Sequence, residues 1–286
     1  MTDHPVIDAH QHCWQIARGD YAWLDDSVAP IRRDFDPADW SAVAGPLGVA
    51  RSVLVQAAPS LDETAYLLRL AAATPSIGAV VGWVDLASDD APAHLGLIAS
   101  EPALRGVRPM LQDIEETEWI LRSEVIDALR VAARLDLTLD ALVQPRHLAA
   151  LERLGREVPE LAIVVDHCAK PHIEGGRDPG DEWREGMSRL AANPRMHCKL
   201  SGLANEHGPG WSAASLRPVT AHVLETFGAE RVMWGSDWPV LELVGDYAAW
   251  LDCARELLDG LGADGRDAVL ARTAARFYRI GPPGDA

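Results

Sequence analysis

Eight short apolar or β-branched runs recur along the chain, separated by stretches long enough for a helix. They are Val6-Ile7-Asp8-Ala9, Ser52-Val53-Leu54-Val55-Gln56, Ala79-Val80-Val81-Gly82-Trp83-Val84, Gly106-Val107-Arg108, Leu139-Asp140-Ala141-Leu142-Val143, Ala162-Ile163-Val164-Val165-Asp166, Met196-His197-Cys198-Lys199-Leu200 and Arg231-Val232-Met233-Trp234. Helix-period segments fill 63–73, 124–135, 147–156 and 217–227 between them. Eight strands alternating with helices predict a single (β/α)8 TIM barrel, one domain over residues 1–286, at the usual size of about 250 residues plus small extensions. A doubly wound open sheet is the alternative. No GxGxxG or GxxxxGK[ST] follows an early strand, however, so a nucleotide cofactor has no cradle.

Polar residues gather where the apolar runs stop: His10 and His12, Gln56, Trp83 and Asp85, Arg108, Gln144, His167 and Lys170, Lys199, and Asp237. In such barrels the C-terminal strand ends carry the active site, so this placement predicts both fold and location. His10 and His12, one residue apart in an extended strand, leave the same face close enough to hold one ion or polarise one water. The formal charge of −17 sets up a surface field that repels polyanions, which argues against nucleic acid and anionic membranes as partners. There is no basic segment followed by an apolar leader, and no run approaches the roughly 20 apolar residues that span a bilayer, so a cytoplasmic protein is expected. Cys13, Cys168, Cys198 and Cys253 show no CxxC spacing and read as small buried residues.

Three segments carry the strongest signal: Asp8-Ala9-His10-Gln11-His12 on the first strand, Val165-Asp166-His167-Cys168-Ala169-Lys170-Pro171 on the sixth, and Trp234-Gly235-Ser236-Asp237-Trp238-Pro239 on the eighth. With Trp83-Val84-Asp85, Gly106-Val107-Arg108-Pro109 and Lys199-Leu200-Ser201-Gly202, the pattern resembles the amidohydrolase superfamily over nearly the whole chain. The resemblance is to its amidohydrolase-related branch, which includes sugar lactonases of the fuconolactonase and rhamnonolactonase kind and the pyrone dicarboxylate lactonases. It implies that His10, His12, His167 and Asp237 occupy metal or water-binding positions. Imidazoles and a carboxylate suit Zn2+ or a similar divalent cation, and Asp237 then accepts the proton of water. Binuclear members carry a carboxylated lysine or a glutamate on the fourth strand, where this chain has the permanently charged Arg108. That leaves one ion, or a metal-independent centre in which the same residues orient water.

Only two of the 26 basic residues are lysines, Lys170 and Lys199, and both lie at strand ends. With Arg108 they are expected to put positive charge around a carbonyl, Arg108 and Lys199 steadying the oxyanion and Lys170 binding substrate. The chain has ten tryptophans against three phenylalanines, and Trp14, Trp83 and Trp238 fall beside the inferred pocket, where indoles stack on a sugar. Gln56 and Asp85 are candidates to read hydroxyls. His4, His94, His147, His197 and His222 read as surface or packing residues. His172 and His207 lie in loops, 173–181 and 205–211 being the segments expected to cover the site, and the tail 281–286 is expected to fray. The reading that follows is a hydrolase opening the ring ester of a small sugar-derived aldonolactone of the L-fucono-, L-rhamnono- or pentonolactone type. A zinc-dependent non-oxidative decarboxylase of an aromatic or muconate-type acid is the alternative. A metal-dependent nuclease and a non-catalytic sugar-binding barrel rank below both.

Overall fold

The computed structural model describes residues 5–281, so His4 and most of the predicted frayed tail lie outside the described residues. Eight parallel strands pair in chain order: β1 (Val6–Gln11), β2 (Val49–Val55), β3 (Ile77–Gly82), β4 (Leu104–Val107), β5 (Thr138–Ala141), β6 (Ile163–Val165), β7 (Met196–Leu200) and β8 (Val232–Trp234). The ends of β8 and β1 are joined by Asp237 N–H to His10 O and His12 N–H to Trp238 O, both at 2.8 Å. The sheet therefore curls into the expected (β/α)8 barrel. Helices between the strands include Leu61–Ala73, Ser123–Arg134, Leu148–Glu157 and Ala213–Phe227, each within a few residues of the segment predicted from periodicity. Ser60, Ser212 and Asp246 begin their helices by accepting a backbone N–H from Glu63, Ser215 and Ala249.

Two apolar layers hold the barrel. The larger packs strands against helices; the smaller gathers Ile7, Ala9, Val53, Val81, Val164 and Met233 with the C-terminal Phe277, Tyr278 and Ile280. Gly78, near the start of β3, lies against Ile280, so the C-terminal segment plugs the end of the barrel opposite the predicted site. Among the described residues no helix is long and apolar enough to cross a membrane. One loop prediction needs correction: a short helix, Leu203–His207, begins the segment expected to be an open loop, because Gly202 at φ 65° turns the chain directly from β7 into it.

Candidate active site

At the C-terminal end of the barrel, two local features aim the side chains. The chain leaves β6 through His167, Cys168, Ala169 and Lys170, all in the left-handed region at φ 52°, 51°, 61° and 48°. That conformation costs roughly 1–2 kcal/mol per residue for side chains bearing a Cβ, so neighbours must hold it. They do: Trp183 donates its indole N–H to Cys168 O at 2.9 Å, and His167 Nδ1 lies 2.9 Å from Ser201 Oγ. Both His167 and Lys170 thereby face one cavity. The second feature is Gly235, where a Cβ would stand 2.8 Å from His10 Cβ. Its absence lets the end of β8 press on β1, and the buried Asp8 carboxylate locks the contact by accepting Ser236 N–H at 2.8 Å and Ser236 O–H at 2.6 Å. Trp40 and Tyr247 donate to the same carboxylate at 3.1 and 2.8 Å.

These constraints converge on Asp237. Its Oδ1 lies 3.5 Å from His12 Nε2, 3.7 Å from His10 Nε2 and 3.8 Å from His167 Nε2. Burial pushes the Asp237 carboxyl up, but His167 first, with His12 and His10, holds it well below the usual carboxylate range. Burial pushes His167 down to about 4, and burial together with Lys199 pushes His10 well down. At neutral pH the centre is a carboxylate beside the neutral imidazoles of His10 and His167.

A layer of charge lies directly beneath. Lys199, with no exposed surface, places Nζ 2.5 Å from Asp140 Oδ2, 3.1 Å from Asp166 Oδ1 and 3.0 Å from His10 Nδ1. Tyr278 O–H donates to Asp140 Oδ2 at 2.6 Å from the plugged end. Arg108 donates from Nε and Nη2 to Gln56 Oε1 at 3.1 and 2.9 Å and also to the Gln56 carbonyl. Its Nη1 lies 3.3 Å from Asp166 Oδ2 and 3.4 Å from His10 Nε2. Burial raises the Asp166 carboxyl, yet Lys199, His10 and Arg108 hold it well below its ordinary range.

His12, Arg108, His167, Lys170 and Asp237 line a cavity of about 300 Å3, with His10 immediately behind them. Other expected contacts fall elsewhere. Lys199 is sealed under His10 and held by two carboxylates, so it cannot reach a carbonyl in the cavity. Gln56 is buried and holds Arg108. Trp14 and Trp238 are packing residues: the Trp14 indole donates to Arg33 O and that of Trp238 to Glu242, both at 2.8 Å, and both rings pack edge-on to Phe35. Trp83 and Asp85 line a neighbouring cleft. His172 is exposed, while His207 is buried and outside the cavity lining.

Sequence reasoning missed Asp140, Asp166, Ser201, Glu206 and Tyr278. Asp140 and Asp166 carried a usable signal, since each interrupts or ends an apolar strand run. Glu206, 3.7 Å from Lys170 and pushed up by burial, and Tyr278, far along the chain, carried none.

The donor set fits one divalent ion. His10, His12 and Asp237 offer atoms within 4.8 Å of one another, as do His10, Asp166 and His167. The Nδ1 atom of His12 is taken by Val55 O at 2.8 Å and that of His167 by Ser201, which turns both Nε2 atoms inward as ligating histidines require. Arg108 beside His10 places fixed positive charge where a second ion would stand.

Comparison with known proteins agrees with this geometry. The Amidohydrolase family profile matches residues 7–280. An L-fucono-1,5-lactonase of Burkholderia ambifaria is 46% identical over 281 residues, covering 97% of this chain and 96% of that protein. A second L-fucono-1,5-lactonase, from Burkholderia multivorans, is 36% identical, covering 98% of each chain. The crystal structure of an amidohydrolase from Burkholderia multivorans with bound zinc superposes with a TM-score of 0.89 at 31% identity, covering 97% of this chain and 100% of that one. This chain belongs to the amidohydrolase family.

Proposed function

We propose that the chain hydrolyses the ring ester of a small sugar-derived lactone, of the class named for its L-fucono-1,5-lactonase relatives. The observation that carries the reading is an ionised, buried Asp237 facing three imidazoles and opening on a cavity of about 300 Å3, at the low end of small-ligand pockets. A divalent ion held by His10, His12 and Asp237, with His167 beside them, would supply Lewis acidity to the reacting carbonyl and water. Asp237 accepts a proton from the attacking water and returns it to the ring oxygen as the ester C–O bond breaks. His12 and His167, each fixed through Nδ1, orient the water. Lys170, bound only loosely to Glu206 at 3.7 Å, reaches into the cavity as the donor to the developing oxyanion. Arg108 contributes fixed positive charge, and Lys199 holds His10 in place from below.

The Arg108 guanidinium is already occupied by Gln56 and Asp166. A carboxylate substrate for decarboxylation needs an open clamp, so hydrolysis is the better fit. The test is a pH-indicator assay across pentono-, hexono- and deoxyhexonolactones, before and after chelation, with elemental analysis of the purified protein. Hydrolysis of at least one lactone is expected, with Asp237→Asn lowering kcat by about 10²–10⁴. No turnover above background with any lactone refutes the reading.

A further inference from the structure

Six of the ten tryptophans are buried, and three of the four half-buried ones, Trp23, Trp83 and Trp119, line a single cleft. This cleft, of about 510 Å3, adjoins the catalytic cavity and shares with it a wall of Trp23, Met110 and Asp113. The two sides differ in charge. Arg108 and Lys170 line the cavity together with Asp237 and the shared Asp113, whereas among the described residues the cleft is lined by no cation and its charged side chains are Asp20, Asp85 and Asp113. Of these, Asp20 is paired with Arg18 at 2.5 Å and Asp85 accepts the backbone N–H of Ala87 at 3.1 Å; Asp85 and Asp113 are exposed. Indole faces take the C–H surface of a sugar ring, and carboxylate oxygens accept from its hydroxyls. A neutral polyhydroxylated group is favoured there and an anionic one is repelled.

We infer that this cleft is a second sugar subsite, so that the chain accepts an aldonolactone carrying a further neutral sugar ring. The inference rests on the lactone-hydrolase reading. The lactone ring occupies the cavity beside Asp237, and its glycosyl substituent crosses the wall at Trp23 to lie among Trp23, Trp83 and Trp119. The reaction is unchanged: the water oxygen bonds to the carbonyl carbon and the ester C–O bond breaks. One proton passes from water through Asp237 to the ring oxygen, and the glycosidic bond stays intact. The product is a glycosylated aldonic acid.

The experiment compares cellobiono-1,5-lactone, glucono-1,5-lactone and L-fucono-1,5-lactone on the full-length protein. The disaccharide lactone is expected to exceed glucono-1,5-lactone in kcat/KM by about tenfold, carried by KM, as one stacked ring supplies. Trp119→Ala removes that advantage while leaving glucono-1,5-lactone within about twofold. Ala22→Trp, which fills the cleft from an exposed position and leaves the core untouched, does the same should Trp119→Ala fold poorly. Hydrolysis of glucono- or L-fucono-1,5-lactone without any preference for the disaccharide lactone overturns the subsite while leaving the lactonase reading intact. So does a preference that survives both variants. Failure to hydrolyse any of the three overturns the subsite, and the lactonase reading falls with it only if the pentono-, hexono- and deoxyhexonolactone panel is also inert.

Discussion

Lys199→Met tests the charge layer beneath the site. The ammonium has no exposed surface and lies within 3.1 Å of carboxylate oxygens of both Asp140 and Asp166, which are themselves fully buried. Methionine fills a similar volume but leaves two carboxylates facing each other without their principal cation. Removing one partner of a buried pair costs about 3–5 kcal/mol. At about 2–4 °C per kcal/mol for a chain of this size, the midpoint of thermal unfolding at pH 8 falls by about 6–20 °C. The pH dependence has a definite sign. In the wild type the Asp166 carboxyl is held below its unfolded value, so its contribution is present above about pH 4 and is lost as pH falls through the folded value. In the variant the carboxyls take up protons more readily and protonation removes the buried charge, so the gap from wild type narrows from pH 8 to pH 5. Lys199→Met with Asp140→Asn regains part of the loss, because one of the stranded charges is gone. Circular dichroism melts of the three proteins at both pH values decide the matter. A shift under about 3 °C, or one equal at pH 5 and pH 8, refutes the pairing argument.

Two further outcomes follow from other parts of the site. Gly202 sits at φ 65°, and a Cβ there would stand 2.7 Å from His167 Cγ and Nδ1. Gly202→Ala is expected to displace the His167 ring and lower kcat/KM for the best lactone by about 10² while the far-ultraviolet spectrum stays native; activity within twofold of wild type contradicts it. Glu63 accepts the backbone N–H groups of Ala57 and Ala58, and burial pushes its carboxyl from 4.5 up to about 7. Its raised value favours the folded state at low pH, a contribution present below about pH 4.5 and lost by about pH 7, on the order of 3 kcal/mol. Glu63→Gln should flatten the wild-type fall in stability across that interval, measured as urea midpoints at several pH values; identical slopes count against it.

The barrel was legible because each strand is a separate apolar run and the spacing between runs admits a helix. The residues at the strand ends were legible for the same reason, since a polar side chain closing an apolar run has few other places to point. What escaped was any role set by contacts distant in the chain. Lys199 sits on β7 beside other candidate groups, and nothing local distinguishes an ammonium facing the cavity from one pinned between Asp140 and Asp166. Trp14 and Trp238 flank the histidine and aspartate motifs, yet Phe35, from a loop with no motif, draws both rings into packing. The left-handed turn from His167 to Lys170 contains no glycine to announce it.

Charge pairing separates structural acids from the chemical one more sharply than motif position does. Asp140 and Asp166 are buried and each meets a permanent or near-permanent cation, Asp140 through Lys199 and Asp166 through Lys199 and Arg108. Asp8 is buried too, but four donor groups from Trp40, Ser236 and Tyr247 satisfy it. Asp237 differs: among the described residues its ion-pair contacts are histidines alone, and burial keeps at least His10 and His167 neutral. A buried carboxylate left without a fixed cation is costly, and such a cost persists where the group has work to do. The same deficit makes this one position receptive to a divalent ion. Lys199 and Arg108, which could have neutralised Asp237 permanently, are instead committed to Asp140 and Asp166 one layer below.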